Sequence, residues 1–259
     1  MTHAGGVRRM RGAWIVWAAA VLALAAAPLR AQAEDTASAC VRAAGGEESA
    51  DWVRWACAGT DFDAAVRFAV SLPAAWEVGS PRDAGLQVWA LNGRVQMSVA
   101  AQDQLHAPAT QSDTLGFWMR ATGIRLGREP ELRDVDSFRR ATQNPDKARR
   151  AVTRAQQRDT VLLAMAHGLS LSHEGQTVLA STAEVRPLAG APAGWLAETT
   201  EQNGEAWRSA SYVTVRDAVV FIATLRAPDE EFDAALPLWE QTMATLEMRT
   251  DRSAPATPP

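Results

Sequence analysis

The sequence predicts an α+β fold: an α/β/α sandwich in which a curved antiparallel sheet is covered by helices and interrupted by a helical insertion. Three observations lead there. Runs of two-residue apolar alternation fall in two blocks, near 65–101 and 177–225, and period two marks half-buried strands. Between the blocks, from about 125 to 172, alternation gives way to apolar residues at helical spacing. A further amphipathic helix follows the last strand run. Hairpin strands with helices segregated between and after them are the pattern of α+β domains. We see no repeat and no second domain, and expect one domain over 61–249.

Three segments frame that domain. Residues 1–33 read as a cleavable signal peptide: Arg8, Arg9 and Arg11 precede an apolar run over 13–27, Pro28 breaks it, and Ala31-Gln32-Ala33 offers small residues for cleavage before Glu34. A run of about 15 residues at about 1.5 Å each falls short of a bilayer core of roughly 30 Å. The alternative is an uncleaved anchor, which needs a longer run. The first cysteine, Cys40, stands well beyond the run, so a lipoprotein is not expected. A periplasmic or secreted protein is the expectation. Residues 34–60 form an N-terminal extension around Asp51-Trp52-Val53-Arg54-Trp55, a short helix or a tacked-down segment. Residues 250–259, with Pro255, Pro258 and Pro259, read as a disordered tail.

The elements follow in order. A strand over 65–72 closes at Pro73, and strands over 86–91 and 95–101 are joined by Asn92-Gly93, a hairpin dipeptide. Ser112, Asp113 or Thr114 caps a helix carrying Leu115, Phe117, Trp118 and Met119. Asn144-Pro145 starts the next helix, on which Ala148, Val152, Ala155, Leu162 and Ala166 share one face. Strands return over 177–185, 194–200, 207–215 and 218–225, with Asn203-Gly204 as a second hairpin turn. Pro228 opens a last helix whose first turn is Asp229, Glu230 and Glu231, acids at the positive end of its dipole. Phe232, Leu236, Trp239, Met243 and Leu246 line it, and Pro237 is expected to kink or restart it.

Phe68-Ala69-Val70-Ser71-Leu72-Pro73 followed by Trp76 resembles the opening strand of the PsbP-like family, which includes extrinsic photosystem proteins and bacterial periplasmic DcrB-type proteins. In the second half, 188–193, Tyr212 to Val215, Val219 to Ala223 and Ala227-Pro228-Asp229-Glu230-Glu231-Phe232 leading to Pro237-Leu238-Trp239 resemble that family's hairpin and closing helix. The resemblance covers roughly 61–101 and 177–248. It implies an antiparallel sheet in an α/β/α sandwich, and a role in binding other proteins rather than catalysis. The chain departs from the pattern in its longer segment over 125–172 and in the Cys40/Cys57 extension.

The residues do not spell an enzyme. There is no Gly-x-Ser-x-Gly, no Walker loop and no Gly-x-Gly-x-x-Gly. Outside the leader the histidines are His106, His167 and His173; the latter two sit six apart across a glycine, not at the i,i+4 spacing of a helical zinc pair. His173 and Glu174 with Ser170 and Ser172 are the nearest approach to a general-base cluster, or else a polar turn. Asp61 and Asp63 fall short of the six to eight oxygens of a calcium shell. No catalytic, cofactor-binding or metal residues are expected. Cys40 and Cys57 read as a disulfide rather than a redox or zinc pair, since they lack Cys-x-x-Cys spacing and a nearby histidine.

Charge singles out the insertion. The leader takes four of 26 basic residues and no acid, leaving 22 against 30 and a net charge of −8, the wrong sign for nucleic acid. Between 120 and 160 eleven basic residues face six acids. Lys147, Arg150, Arg154 and Arg158 fall at i, i+3, i+7 and i+11, a basic ridge opposite the Ala148/Val152/Ala155 face. Either these charges pair with the acidic remainder, or they dock an acidic protein or an anionic membrane surface. The leading functional reading is therefore an exported, non-enzymatic accessory protein that binds a protein partner or the cell envelope. The alternative is a small-molecule or lipid-binding module with a cavity bounded by Trp118, Leu162 and Met165.

Overall fold

A computed structural model describes residues 40–43, 51–58, 65–79, 86–105, 114–170 and 176–251. In chain order its strands are β1 (Cys40–Arg42), β2 (Trp52–Ala58), β3 (Ala65–Pro73), β4 (Glu77–Gly79), β5 (Leu86–Asn92) and β6 (Val95–Asp103), then β7 (Thr177–Leu188), β8 (Ala191–Gln202), β9 (Glu205–Arg216), β10 (Val219–Pro228) and β11 (Glu247–Asp251). Helices α1 (Thr114–Leu126), α2 (Leu132–Thr142), α3 (Pro145–Gln156) and α4 (Asp159–Ser170) lie between β6 and β7, and α5 (Asp229–Ala244) between β10 and β11. The strands form two antiparallel sheets, one of seven strands in the order β4-β5-β6-β10-β9-β8-β7 and one of four in the order β1-β2-β3-β11. The expected α+β class holds.

Tight turns set the register of the large sheet. Asn203 and Gly204, at φ 55° and 79°, form the two-residue turn between β8 and β9; positive φ at both central positions is the type I′ signature, as Asn-Gly predicts. The β5–β6 turn is shifted by one residue from that reading. Asn92 pairs with Val95, so Gly93 and Arg94 are central, and of the two only Gly93 has positive φ.

Strand alternation divides the core. On β10, Val219, Phe221, Ala223, Leu225 and Ala227 face the four-stranded sheet and α5, where they pack with Phe68, Val70, Leu72, Trp239 and Met243. Phe68 meets Phe221 edge to face at 6.4 Å between centroids. Val220 and Ile222 face the other way and pack with Ala166, Leu169, Leu196, Val213 and Val215 beneath α4. A third cluster joins α1, α2 and α3 through Trp118, Phe138, Ala148 and Val152, with Ala218 at the sheet's end. Layers of opposite parity on one sheet are the direct product of period-two sequence.

Four expectations need correction. Residues 52–58 are strand rather than short helix: Val53, Trp55 and Cys57 alternate with Trp52, Arg54 and Ala56, and β2 is hydrogen-bonded into the sheet between β1 and β3. Thr250 and Asp251, expected in the tail, are strand and pair with Val66 and Ala65; residues 252–259 lie outside the described residues. Pro237 does not restart a separate helix; α5 runs through it, since Pro237 and Asp233, whose carbonyl loses its donor, are exposed while Phe232, Ala235, Trp239 and Met243 anchor both halves. The long helix expected beyond Asn144 is two helices. Gln157 and Arg158 separate α3 from α4, and Leu162 and Ala166 belong to α4.

The disulfide is present. Cys40 and Cys57 are cross-strand partners of β1 and β2, linked at Cα–Cα 4.0 Å and buried in the core. A loop this short contributes about 3 kcal/mol in the chain-entropy view. The packing of α4 on the sheet rests on a missing side chain. A Cβ at Gly194 of β8 would lie 2.3 Å from the Leu162 carbonyl oxygen and 3.2 Å from Ala166 Cβ. Backbone cannot yield as a flexible side chain does, so we expect Gly194→Ala to destabilise the protein by about 1–3 kcal/mol, measured by urea unfolding.

Candidate functional site

The basic ridge is built on α3, and its sequence explains its pose. Asn144 caps the helix, its side-chain oxygen accepting from the backbone N–H of Asp146 and Lys147, with Pro145 at the first position. The inner face is anchored to the β9–β10 turn. Arg149, 3% exposed, donates to the Asp217 carbonyl at 3.1 Å; Thr153 Oγ1 accepts from the Ala218 N–H at 2.7 Å; the Gln157 amide donates to the Val215 carbonyl at 2.7 Å. Asp217 and Ala218 both have positive φ, 47° and 61°, a conformation unfavourable for residues other than glycine. The helix thus holds a strained turn in place.

With that face fixed, Lys147, Arg150 and Arg154 are left exposed. Arg158 is exposed too, but stands in the turn after α3, where its carbonyl accepts from Val161 and Leu162 at the start of α4. The ridge is therefore three residues on a helix and one on the adjoining turn. Other basic residues of the insertion are engaged: Arg128 with Asp134, Arg133 with Glu131, Arg139 with Asp136, and Arg125 over the Phe138 ring at 5.1 Å. Among the described residues, Lys147, Arg150, Arg154 and Arg158 make no ion pair. On α2 Arg133 and Arg139 are paired and Arg140 is exposed without an ion pair among the described residues, whereas α3 leaves three exposed charges unpaired.

Most of the other sequence candidates cannot be placed: His106, Asp61, Asp63, Ser172, His173 and Glu174 lie outside the described residues, as do residues 1–39; Ser170 ends α4 and His167 is exposed on it. No group of three His, Cys, Asp or Glu side chains among the described residues is placed to hold a metal. Trp118 packs against Phe138 at 5.7 Å in the helical cluster, whereas Leu162 sits on Gly194 and Met165 joins the cluster under α4. The three residues of the cavity reading are in different packing units.

A polar strip on the large sheet escaped sequence reasoning. Beyond the area that α4 covers, the same sheet face carries Ser209, Ser211, Glu198 and Thr200, all buried, with Thr224 and Arg226. Register aligns Gln96, Arg226, Ser209 and Glu198 in one row across β6, β10, β9 and β8. In the next row the Trp207 ring lies under two guanidinium groups, Arg94 at 4.9 Å and Arg226 at 4.7 Å. The available signal was polar residues at every second position of strands whose other face is apolar.

No family model matches the chain, and no curated protein does. Solved structures do. One is a cyanobacterial PsbP. It comes from Synechocystis sp. PCC 6803, with 13% identity, a TM-score of 0.40, and coverage of 80% of this chain and 98% of that one. A Bacteroides thetaiotaomicron protein shows 10% identity and a TM-score of 0.37, over 71% of this chain and 46% of its own. A Pseudomonas aeruginosa protein of unknown function shows 15% identity and a TM-score of 0.30, over 71% and 92%.

Two outcomes follow from the insertion's chemistry. Thr153→Val leaves the buried Ala218 N–H without its acceptor, and we expect a loss of about 1–3 kcal/mol by urea unfolding. The Asp134 carboxyl is held below the usual carboxylate range, first by the Glu131 backbone N–H it caps and then by Arg128. A lowered carboxylate stabilises the fold above its unfolded pKa and loses that contribution as pH falls through the lowered value. Carboxyl NMR titration should place Asp134 below an ordinary aspartate, and Arg128→Gln should raise it.

Proposed function

We propose that this chain is an exported, non-enzymatic accessory protein that docks an acidic protein partner through Lys147, Arg150, Arg154 and Arg158. The observation that carries this reading is the absence, among the described residues, of any ion pair to these four exposed charges, beside a helix on which Arg133 and Arg139 are both paired. Arginine supports it, because its planar fork engages carboxylates with two parallel hydrogen bonds. Rigidity supports it as well: the helix is pinned from beneath at three points, so little ordering entropy is spent on binding. The charge distribution adds direction. On the sheet face opposite α4, α5 carries Asp229, Glu230, Glu231, Asp233 and Glu240 and no basic residue, so an acidic partner is repelled there and drawn to α3. The small-molecule or lipid alternative draws on Trp118, Leu162 and Met165 around one cavity, and it has less support, since Trp118 packs with α1–α3 and Met165 under α4.

The test is affinity capture from envelope extract with the wild-type protein and with Arg150→Glu/Arg154→Glu. We expect the double reversal to weaken capture of a specific acidic protein by about tenfold or more, with the wild-type interaction falling as salt rises. Capture indifferent to both the reversal and salt would refute the docking role.

A further inference from the structure

The polar strip at the β8–β9 turn end of the large sheet has a chemistry unrelated to the basic ridge. Arg226 is half-buried on β10, and its Nη2 donates to the neutral Gln202 Oε1 at 2.7 Å. Its other contact is the Trp207 ring. Arg94, on the same ring, has its charge matched by Glu205. Among the described residues Arg226 has no such match: neither its hydrogen bond nor its stacking partner carries a negative charge. Burial lowers its pKa, the direction expected of a cation desolvated without a compensating anion.

The surroundings are those of a polar recognition site. Cross-strand register puts Ser209 of β9 on one side of Arg226 and Gln96 of β6 on the other, all on one face. Ser209 is buried, and in the neighbouring row Ser211 and Thr224 hydroxyls bond each other at 3.0 Å, which keeps that row engaged with itself. Glu198, the cross-strand partner of Ser209 on β8, closes the row with a carboxylate, so a second negative charge is disfavoured at that end.

We propose that Arg226, backed by Trp207 and flanked by Gln96, Gln202 and Ser209, binds a small solute through one anionic group, a carboxylate or a phosphate. The guanidinium fork supplies paired donors to the anion, Ser209 and the two amides supply neutral hydrogen bonds, and the indole fixes the plane of the fork. Glu198 restricts the remainder of the solute to a neutral or cationic group.

The experiment is calorimetric titration of the full chain, at low salt, with inorganic phosphate and separately with acetate. Saturable binding of at least one is expected, and which of them binds identifies the anionic group. Arg226→Gln should weaken it about tenfold or more, and Arg226→Lys, which keeps charge and loses the fork, should weaken it by a smaller factor. The Lys variant decides the matter if the Gln variant does not fold. The Arg150→Glu/Arg154→Glu protein should bind as wild type, which separates this site from the basic ridge. Failure of both anions to bind saturably, or wild-type affinity in both Arg226 variants, overturns the proposal.

Discussion

The clamp of α3 on the β9–β10 turn is the interaction on which the rest of the arrangement depends. Asp217 and Ala218 occupy left-handed backbone without glycine, a conformation that persists only where surroundings over-determine it. Arg149 and Thr153 provide that determination from the helix side, and Gln104 does so from the sheet side, its N–H donating to the Ala218 carbonyl at 2.9 Å. One turn thereby ties together β6, β9, β10 and the insertion. Because Arg149 and Thr153 must face inward, the helical period sends Lys147, Arg150 and Arg154 outward. The chemistry of the exposed face is thus a geometric consequence of what the buried face has to satisfy.

The same division of labour recurs in the large sheet. Its face toward α5 and the small sheet is apolar along β10 and β6, while β9 adds Arg208, Thr214 and Arg216, each with a partner. Its other face changes character along its length, apolar beneath α4 and polar beyond it. Gly194 marks the apolar end, allowing α4 backbone to approach closely enough to exclude water. A sheet that needed only to be buried would have no use for Glu198, Ser209 and Arg226 in the same stripe, since buried polar groups cost free energy unless partnered. That contrast within one face makes the strip a recognition surface rather than ordinary core.

Much of the architecture was legible in the sequence, and the misses have physical causes. Asn203-Gly204 gave its turn because Asn and Gly adopt positive φ most cheaply, whereas between the strand runs 207–215 and 218–225 a break was legible but the positive φ of Asp217 and Ala218 was not, because that conformation is held by α3, distant in sequence. Strand β2 was missed because Asp51 to Trp55 is short and charged, and its strand state comes from pairing with β3 and the Cys40–Cys57 link. Of the ridge, spacing gave the shared exposed side correctly but could not show that Gln157 and Arg158 interrupt the helix, since apolar positions keep their period across the break. Arg226 and Trp207 were invisible as a pair because they meet only through the register of β9 on β10.

The two-residue turns of the β7–β10 meander carry a kinetic implication. Each of its pairings closes a loop of only two residues, while β6 must find β10 across the whole helical insertion and β3 must find β11 across nearly the entire domain. Loop-closure entropy grows with the intervening length, and local contacts form fastest. On this topology the β7–β10 meander closes the shortest loops, and the small sheet is tied to the rest of the fold through the far longer closure of β3 on β11. The Cys40–Cys57 link joins only the neighbouring strands β1 and β2, and so leaves that longest closure as costly as before.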